Sequence, residues 1–395
     1  MTSLVPATEE DAGAAIAEAA ARRTPLALVG SASKAEIGRP AQSAATLSSA
    51  GLTGVTLYEP AELVLAARSG TPLSEVLRAL AEKGQQLPFE PMDYRRLLGA
   101  TGRPTIGGVA AANLSGPRRI TAGAARDSLI GVRLVNGRGE AIKSGGRVMK
   151  NVTGLDLVKL LGGSWGTLGL LTEVTFKVLP RPERAATLEL HGLADARGIA
   201  ALCAAVASPY EVTGAAHLPA SLDGAGARTL VRIEGFSVSV QYRLGELQKL
   251  LRPFGAADVL EDETAATLWE DIRDVALLVH PRDKAVWRVS TSPARGPDVA
   301  AQVARALHAR WYYDWSGGLL WIAASAAGDA GAAVIRAAVR EHGGHATLIR
   351  APAEVRAAVD VFQPLSPALM QLTAGIKAAF DPAGILNPGR MYAGV

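Results

Sequence analysis

Three glycine-rich segments carry the residue types best suited to holding a phosphorylated ligand. They are Val29-Gly30-Ser31-Ala32-Ser33-Lys34, Thr105-Ile106-Gly107-Gly108-Val109-Ala110-Ala111-Ala112-Asn113 and Gly162-Gly163-Ser164-Trp165-Gly166-Thr167-Leu168-Gly169. A residue without a Cβ lets backbone N–H groups crowd around an oxyanion. Each hydrogen bond to a charged group contributes roughly 1.5–3 kcal/mol, so several loops converging on one diphosphate bind it firmly. Taken singly, each loop merely permits a turn. Two nucleotide signatures fail on spacing. No G-x-G-x-x-G follows Leu26-Ala27-Leu28-Val29 and no helix signal starts directly after Gly30, which argues against a Rossmann site. No G-x-x-x-x-G-K-[ST] occurs either. The expectation is a set of loops that wrap a dinucleotide without the usual helix-dipole geometry.

Side chains that do chemistry themselves are sparse. Cys203 is the only cysteine, which excludes a disulfide, a structural zinc cluster or an iron–sulfur cluster held by this chain alone. It reads as a small core residue. The histidines stand at 191, 217, 280, 308, 342 and 345. Only His342-Gly343-Gly344-His345 forms a close pair, and without a carboxylate at useful spacing it reads as a solvated loop rather than a metal site. Arg118, Arg119, Lys150 and Arg390 lie in motif segments and can hold a carboxylate or phosphate, or form ordinary ion pairs. No general base stands out.

The elements that must position these residues are legible from periodicity and capping. Thr8 caps a first helix with acids in its first turn, and the apolar run 26–29 reads as a buried strand. Strand signals follow around 56–58 and 63–67. The spacing of Leu73, Val76, Leu77 and Leu80 predicts a helix with Thr71 at the N-cap, Pro72 at its first position and Gly84 as its stop. From Pro88 and Pro91 to Ser128 periodicity vanishes, a loop length that is uncommon without a task. A hairpin follows at 131–143 around Asn136-Gly137-Arg138-Gly139, then a short helix at 156–161. Thr172, Val174, Phe176 and Val178 alternate with polar residues in the clearest strand, closed by Pro180 and Pro182. Beyond it, Trp311-Tyr312-Tyr313 and Gly318-Leu319-Leu320-Trp321-Ile322 read as paired strands, and a helix over 366–380 precedes Asn387-Pro388-Gly389-Arg390.

Bulk properties set the frame. At 395 residues two domains are the natural expectation, within an α+β class. The chain is 49% hydrophobic with a net charge of +4, and no basic block interleaves with aromatics, which disfavours nucleic acid as a partner. No apolar run approaches the ~18 residues of a membrane span. Glu9, Glu10 and Asp11 stand where a signal peptide needs positive charge, which makes the cytoplasm the default location.

In order, the glycine segments resemble the FAD-binding domain shared by vanillyl-alcohol oxidase, p-cresol methylhydroxylase (PCMH) and bacterial D-lactate dehydrogenase. The Gly30–Lys34 loop is similar to that family's first pyrophosphate loop, and Thr105-Ile106-Gly107-Gly108 to its T-I-G-G turn. Gly123-Ala124-Ala125-Arg126-Asp127-Ser128-Leu129-Ile130-Gly131 resembles G-S-x-R-D-x-V-L-G, and Gly163 through Leu171 resembles G-S-x-G-T-L-G-x-L. The tail Phe380-Asp381-Pro382 with Asn387-Pro388-Gly389-Arg390 resembles the closing F-D-P and N-P-G-K. Within the family, Gly116-Pro117-Arg118-Arg119 and Gly145-Gly146-Arg147-Val148-Met149-Lys150-Asn151-Val152-Thr153-Gly154 resemble the smaller FAD-binding subunits of bacterial glycolate oxidases.

The resemblance implies a two-subdomain PCMH-type FAD-binding domain over 1–182, an α+β cap or substrate domain over 183–360, and a helix and tail over 361–395 that return to the FAD domain. It assigns cofactor contacts to Gly30, Ser31, Ala32, Ser33, Lys34, Pro91, Thr105, Ile106, Gly107, Gly108, Ala111, Asn113, Gly116, Arg119, Gly123, Arg126, Asp127, Gly166, Gly169, Leu171, Val174 and Asn387. It identifies no catalytic residue and no metal ligand, because the H-x-G-D-G-N-type segment of relatives that oxidise 2-hydroxy acids is missing. The first histidine is His191, which leaves no histidyl attachment in the first domain and implies non-covalent FAD. The implied activity is oxidation of glycolate to glyoxylate in a complex with a larger FAD-binding subunit and an iron–sulfur subunit, reached at the inner face of the membrane through the complex if at all. In that setting this flavin relays electrons. The alternatives are a self-sufficient FAD-dependent D-2-hydroxy acid dehydrogenase and a scaffold whose FAD site is vestigial.

Overall fold

A computed structural model describes residues 2–146, 155–222 and 224–395. The motif segment 147–154, with Lys150, lies outside the described residues.

Three larger sheets organise the described residues, beside a two-stranded pair of Gln85–Gln86 with Leu179–Pro180. The first is small and parallel, with Ala45–Ser48 between Thr2–Leu4 and Leu26–Val29. Helix Glu9–Ala21 packs Ala12 and Ile16 onto it, and its N-terminus closes as expected: Thr8 Oγ1 accepts from Asp11 N at 3.0 Å while Asp11 accepts from Thr8 N at 3.1 Å. The second sheet is five-stranded and antiparallel, in the order Val55–Glu59, Val64–Arg68, Leu170–Lys177, Leu129–Val135, Ala141–Gly145. The alternating strand lies at its centre, where Val174 and Phe176 enter a core with Leu73, Val76 and Leu80 of helix Leu73–Ala81. That helix begins one residue later than expected. Pro72 occupies the cap, while Thr71 Oγ1 accepts from Gly54 N at 3.0 Å and donates to Arg68 O at 2.6 Å. The hydroxyl is fixed to neighbouring backbone and is not free to cap.

The third sheet is eight-stranded, running from Arg184–His191 to His345–Arg350 in sequence. Expected strands 311–313 and 318–322 are Arg310–Asp314 and Leu319–Ser325, paired antiparallel with Tyr312 opposite Trp321. Helices Asp195–Val206, Ser237–Leu251, Gly296–Ala306 and Ala332–His342 cover one face. The other face, with Tyr312 and Trp321, shares a core with Trp269 of helix Asp262–Arg273 and with Met92, Tyr94, Leu97 and Leu114. Those four belong to the aperiodic stretch after Pro88, whose task is therefore to join two cores. Its polar contact is a buried ion quartet. Arg232 donates to Glu90 at 2.8 and 3.0 Å, and Arg118 donates to Glu234 at 2.6 and 2.7 Å.

The chain end returns to the first sheet. Helix Pro367–Phe380 is capped by Ser366, and beyond it Leu26 N donates to Ile385 O at 2.7 Å and Asn387 N to Leu26 O at 3.0 Å. Buried Lys377 donates to Thr167 O, Leu386 O and Asp381 Oδ2, each at 2.7 Å. Among the described residues no helix is long and apolar enough to cross a membrane.

Candidate flavin site

The three glycine segments meet at one cleft. Backbone packing draws them together. Gly30 lies so close to Thr105 that a Cβ there would meet its Oγ1 at 2.4 Å, and a Cβ at Gly107 would meet Ser69 Cβ at 2.4 Å. Gly163 N and Trp165 N donate to Ala110 O and Ala111 O at 3.2 and 2.9 Å, hanging the third loop on the end of helix Ile106–Ala112. Asn387 completes the tie: its side chain accepts from Leu28 N at 2.8 Å and donates to Trp165 O at 2.8 Å. Gly166 turns at φ +74°, and a Cβ there would meet Asn387 Nδ2 at 2.8 Å. The cradle is made of main chain, and side chains at these positions would fill it.

One expectation is corrected. The T-I-G-G segment opens helix Ile106–Ala112, with Thr105 Oγ1 accepting from Gly108 N at 3.2 Å, so a helix N-terminus does face the cleft. Its glycine and alanine content hid the periodicity.

Of the expected contacts, Gly30, Ser31, Ala32, Ser33, Lys34, Thr105, Gly107, Gly108, Ala111, Gly166, Gly169 and Leu171 line the cleft. Ile106 and Val174 lie behind it in the core. Pro91 borders a separate charged cleft beside Glu90 and Arg118. Gly123, Arg126 and Asp127 form a turn in which Asp127 Oδ2 accepts from Ala124 N at 2.8 Å and Arg126 N donates to Asn113 Oδ1 at 3.0 Å. Leu28, Ser49, Ser69, Trp165 and Arg390 are among the other residues of the lining. Ser49 and Ser69 carried no motif, so only the fold could place them.

Two cations face the cradle. Lys34 Nζ reaches Ser33 Oγ at 3.2 Å and stands over Gly108. Burial pulls its ammonium down to about 8, with Asp93 opposing and Arg390 adding to the shift. Arg390 donates to Lys34 O at 3.1 Å and lies 5.4 Å over the Trp165 ring; burial and then Arg356 lower it to about 10. Among the described residues no histidine, cysteine or tyrosine borders the cleft.

Past Trp165 and Ala112, which line both spaces, lies a second cavity beneath the eight-stranded sheet. Tyr94, Asn113, Ser115, Arg288, Thr347 and Phe362 contribute to its walls. Arg288 and Arg119 approach Trp315 at 5.1 and 4.6 Å, and among the described residues neither guanidinium hydrogen-bonds to protein. Gly116 O holds Trp315 in place by accepting from its Nε1 at 3.1 Å. Partial burial, followed by Arg288 and Arg119, lowers the His345 imidazole. The cluster is cationic and has room for an anion. Among the described wall residues Tyr94 is the other titratable group, and burial pushes its hydroxyl upward; His345, although close enough to feel both arginines, is not part of the wall. Asp314, raised by burial to about 7, lines neither space. Arg118 does not join the cluster, because the ion quartet engages it. Sequence reasoning missed Arg288, although a charge set between Trp287 and Val289 in a strand of apolar residues was a signal that could have marked it.

Comparison with known proteins agrees with this geometry. The FAD binding domain model matches residues 3–145, and the C-terminal domain model of FAD linked oxidases matches 362–391. The chain is 34% identical over 377 residues to the glycolate oxidase subunit GlcE of Escherichia coli, covering 95% of each. It is 33% identical over 175 residues to the glycolate oxidase subunit GlcD of Bacillus subtilis, covering 44% of this chain and 34% of that one. In fold it is similar to p-cresol methylhydroxylase, with a TM-score of 0.72 at 13% identity over 99% of this chain and 88% of that one. The 4-ethylphenol oxidase of Gulosibacter chungangensis gives 0.70 at 13% identity, over 99% and 89%. The chain is an FAD-dependent oxidoreductase, and it belongs to the FAD-linked oxidase family that includes the glycolate oxidase subunit GlcE.

Proposed function

We propose that this chain is the smaller FAD-binding subunit of a glycolate oxidase complex and relays electrons between companion subunits. The observation that carries the reading is the glycine-lined cleft with Lys34 over Gly108, set beside a cationic cavity whose described wall residues include no carboxylate or histidine. Residues 1–182 serve as the FAD domain, 183–360 as the cap and 361–395 as the returning tail. The glycine loops and Lys34 hold the diphosphate, and Trp165 separates the cleft from the cap cavity. Non-covalent binding of the cofactor is part of this reading, supported by a lining without histidine, cysteine or tyrosine among the described residues. When bound, FAD supplies a two-electron acceptor. The larger FAD subunit and an iron–sulfur subunit supply the substrate's proton acceptor and the onward electron path.

A second reading has its own support. Arg288 on the cavity wall is a ready anchor for the carboxylate of a 2-hydroxy acid, with Arg119 adding positive charge at Trp315, as a self-sufficient D-2-hydroxy acid dehydrogenase would need. Anaerobic mixing of the isolated flavoprotein with glycolate or D-lactate separates the two. Flavin bleaching within seconds selects the dehydrogenase, and an oxidised flavin selects the relay. The vestigial-site alternative predicts that Gly107→Trp, which drives a side chain into Ser69, leaves complex activity intact. The relay reading expects flavin and activity to be lost together.

A further inference from the structure

The hydroxyl groups around the flavin cleft fall into two sets. Ser31 Oγ donates to Arg103 O, Ser33 Oγ accepts from Lys34 Nζ at 3.2 Å, and Thr105 Oγ1 accepts from Gly108 N at 3.2 Å. Those three fasten the loops to one another. Ser69 also lines the cleft and is only 1% exposed, yet its Oγ has no hydrogen-bonding partner among the described residues. Ser49 lines the cleft at 4% exposed, and among the described residues no hydrogen bond engages its hydroxyl.

A buried hydroxyl without a partner destabilises a fold, and alanine at the same place would not. Backbone movement cannot relieve Ser69. Its N donates to Thr172 O at 2.9 Å and its O accepts from Gly107 N at 2.8 Å, which leaves the side-chain torsion as its one soft degree of freedom. Ser49 is held beside it, because a Cβ at the intervening Gly70 would meet Ser49 O at 1.8 Å. Two hydroxyls that the protein does not use, fixed on the wall of a binding cleft, call for a ligand.

Their place in the cleft says which part of the ligand. Trp165 and Ala112 are shared with the cap cavity and mark the end that an isoalloxazine must reach. Ala112 closes helix Ile106–Ala112, whereas Ser69 packs against Gly107 at its start, about 7.5 Å back along the axis. Lys34 stands over Gly108 at that same end. The bond to Thr172 sets Ser69 next to Leu170 and Leu171, apolar lining residues suited to cover a purine.

We propose that Ser49 and Ser69 bind the adenosine half of FAD and set a preference for FAD over FMN. A serine hydroxyl donates and accepts in turn, so it can meet a ribose hydroxyl or a purine nitrogen, while the cations stay with the diphosphate. The inference rests on reading this cleft as the flavin site and deepens that reading.

The test titrates apoprotein with FAD, FMN and ADP. Ser69→Ala is expected to raise the dissociation constants of FAD and ADP together by about 3- to 10-fold, as loss of one neutral hydrogen bond does, and to leave that of FMN unchanged. Its apoprotein melting temperature is expected to hold or rise, because the variant removes a buried hydroxyl that lacks a partner. A serine serving only the fold would not weaken binding while sparing stability. Ser49→Ala is expected to affect the same two ligands. Unchanged FAD affinity in both variants overturns the proposal, and so does a loss for FMN equal to that for FAD. Gly107→Trp separates this inference from the reading beneath it. FAD binding that survives Gly107→Trp brings down the cleft assignment itself, whereas binding lost there but untouched in both serine variants refutes the serine assignment alone.

Discussion

Lys34 offers the most quantitative test of the flavin site. Its ordinary value of 10.5 falls to about 8 in the ligand-free cleft because burial penalises the charged form. A diphosphate over Gly108 restores the charge, so the ammonium titrates higher in the complex than in the free protein. FAD then binds the protonated form. Its dissociation constant should be flat below pH 8 and rise by up to about tenfold per pH unit above it, until the ammonium of the complex titrates. Between about pH 7.5 and about pH 9.5 this amounts to roughly 25-fold, or about 2 kcal/mol. Stability of the apoprotein has the opposite sign. The folded value lies below the unfolded one, so the unfolded chain binds more protons between about 8 and 10.5, and apoprotein stability rises across that window.

Titration of apoprotein with FAD, followed by flavin fluorescence across that range, reads the first effect, and melting of apoprotein reads the second. Lys34→Met should weaken binding at neutral pH and flatten the profile. Lys34→Arg should keep the affinity and also lose the slope. A wild-type dissociation constant that stays flat to about pH 9.5, or a Lys34→Met variant with the wild-type slope, refutes the placement of the diphosphate at Lys34.

The remaining sites make their own claims. Arg288→Met should cost the cap cavity a charge-assisted contact of about 1.5–3 kcal/mol, weakening oxalate or glycolate binding by roughly 10- to 150-fold in calorimetry while FAD content stays unchanged. Unaltered anion binding removes Arg288 from the site. Glu90→Gln leaves Arg232 buried without its carboxylate, so about 3–5 kcal/mol of stability should be lost in denaturant titration. The intact quartet has an acid limb of the expected sign. Arg118 and Arg232 more than offset the burial of Glu234 and hold it at about 2, so its contribution is full above 4.5 and fades as pH falls from there toward 2. Gly166→Ala forces a Cβ at φ +74° and toward Asn387, which should reduce FAD affinity and lower the apoprotein melting temperature; an unchanged protein contradicts the cradle geometry. Heat or acid denaturation of holoprotein should release all flavin into the supernatant, and colour retained on the polypeptide contradicts non-covalent binding.

The parts of this molecule that local rules govern were legible in its residues. Thr8 with Asp11, the strand around Val174 and Phe176, and Pro367 behind Ser366 each solve a backbone problem within a few positions, so neighbours suffice to reveal them. The cleft was legible for a related reason. Gly30, Gly107 and Gly166 are demanded by close approach or by a positive φ, and those demands leave a mark on the residue itself. Thr71 misled because a partner at Gly54 outbid the helix for its hydroxyl, a contact visible only in three dimensions.

Arg288 shows where such reading ends. On Lys284–Ser290 it pairs across strands with Trp321 and Thr347, and it finds Trp315 and Arg119 only because the stretch after Pro88 folds under the third sheet. Nothing near Arg288 in sequence distinguishes a guanidinium left without a hydrogen-bonding partner from one held like Arg232, two residues before Glu234 on another strand. The difference lies in what faces each: Glu90 reaches Arg232, and no carboxylate hydrogen-bonds to Arg288 among the described residues. A buried-pair cation stabilises the junction between the two cores, while a cation left without a hydrogen-bonding partner beside a cavity is a cost the fold carries for a ligand. That contrast locates function at Arg288 and structure at Arg232, and it predicts opposite signatures for their methionine variants: lost anion affinity with stability retained at the first, and lost stability at the second.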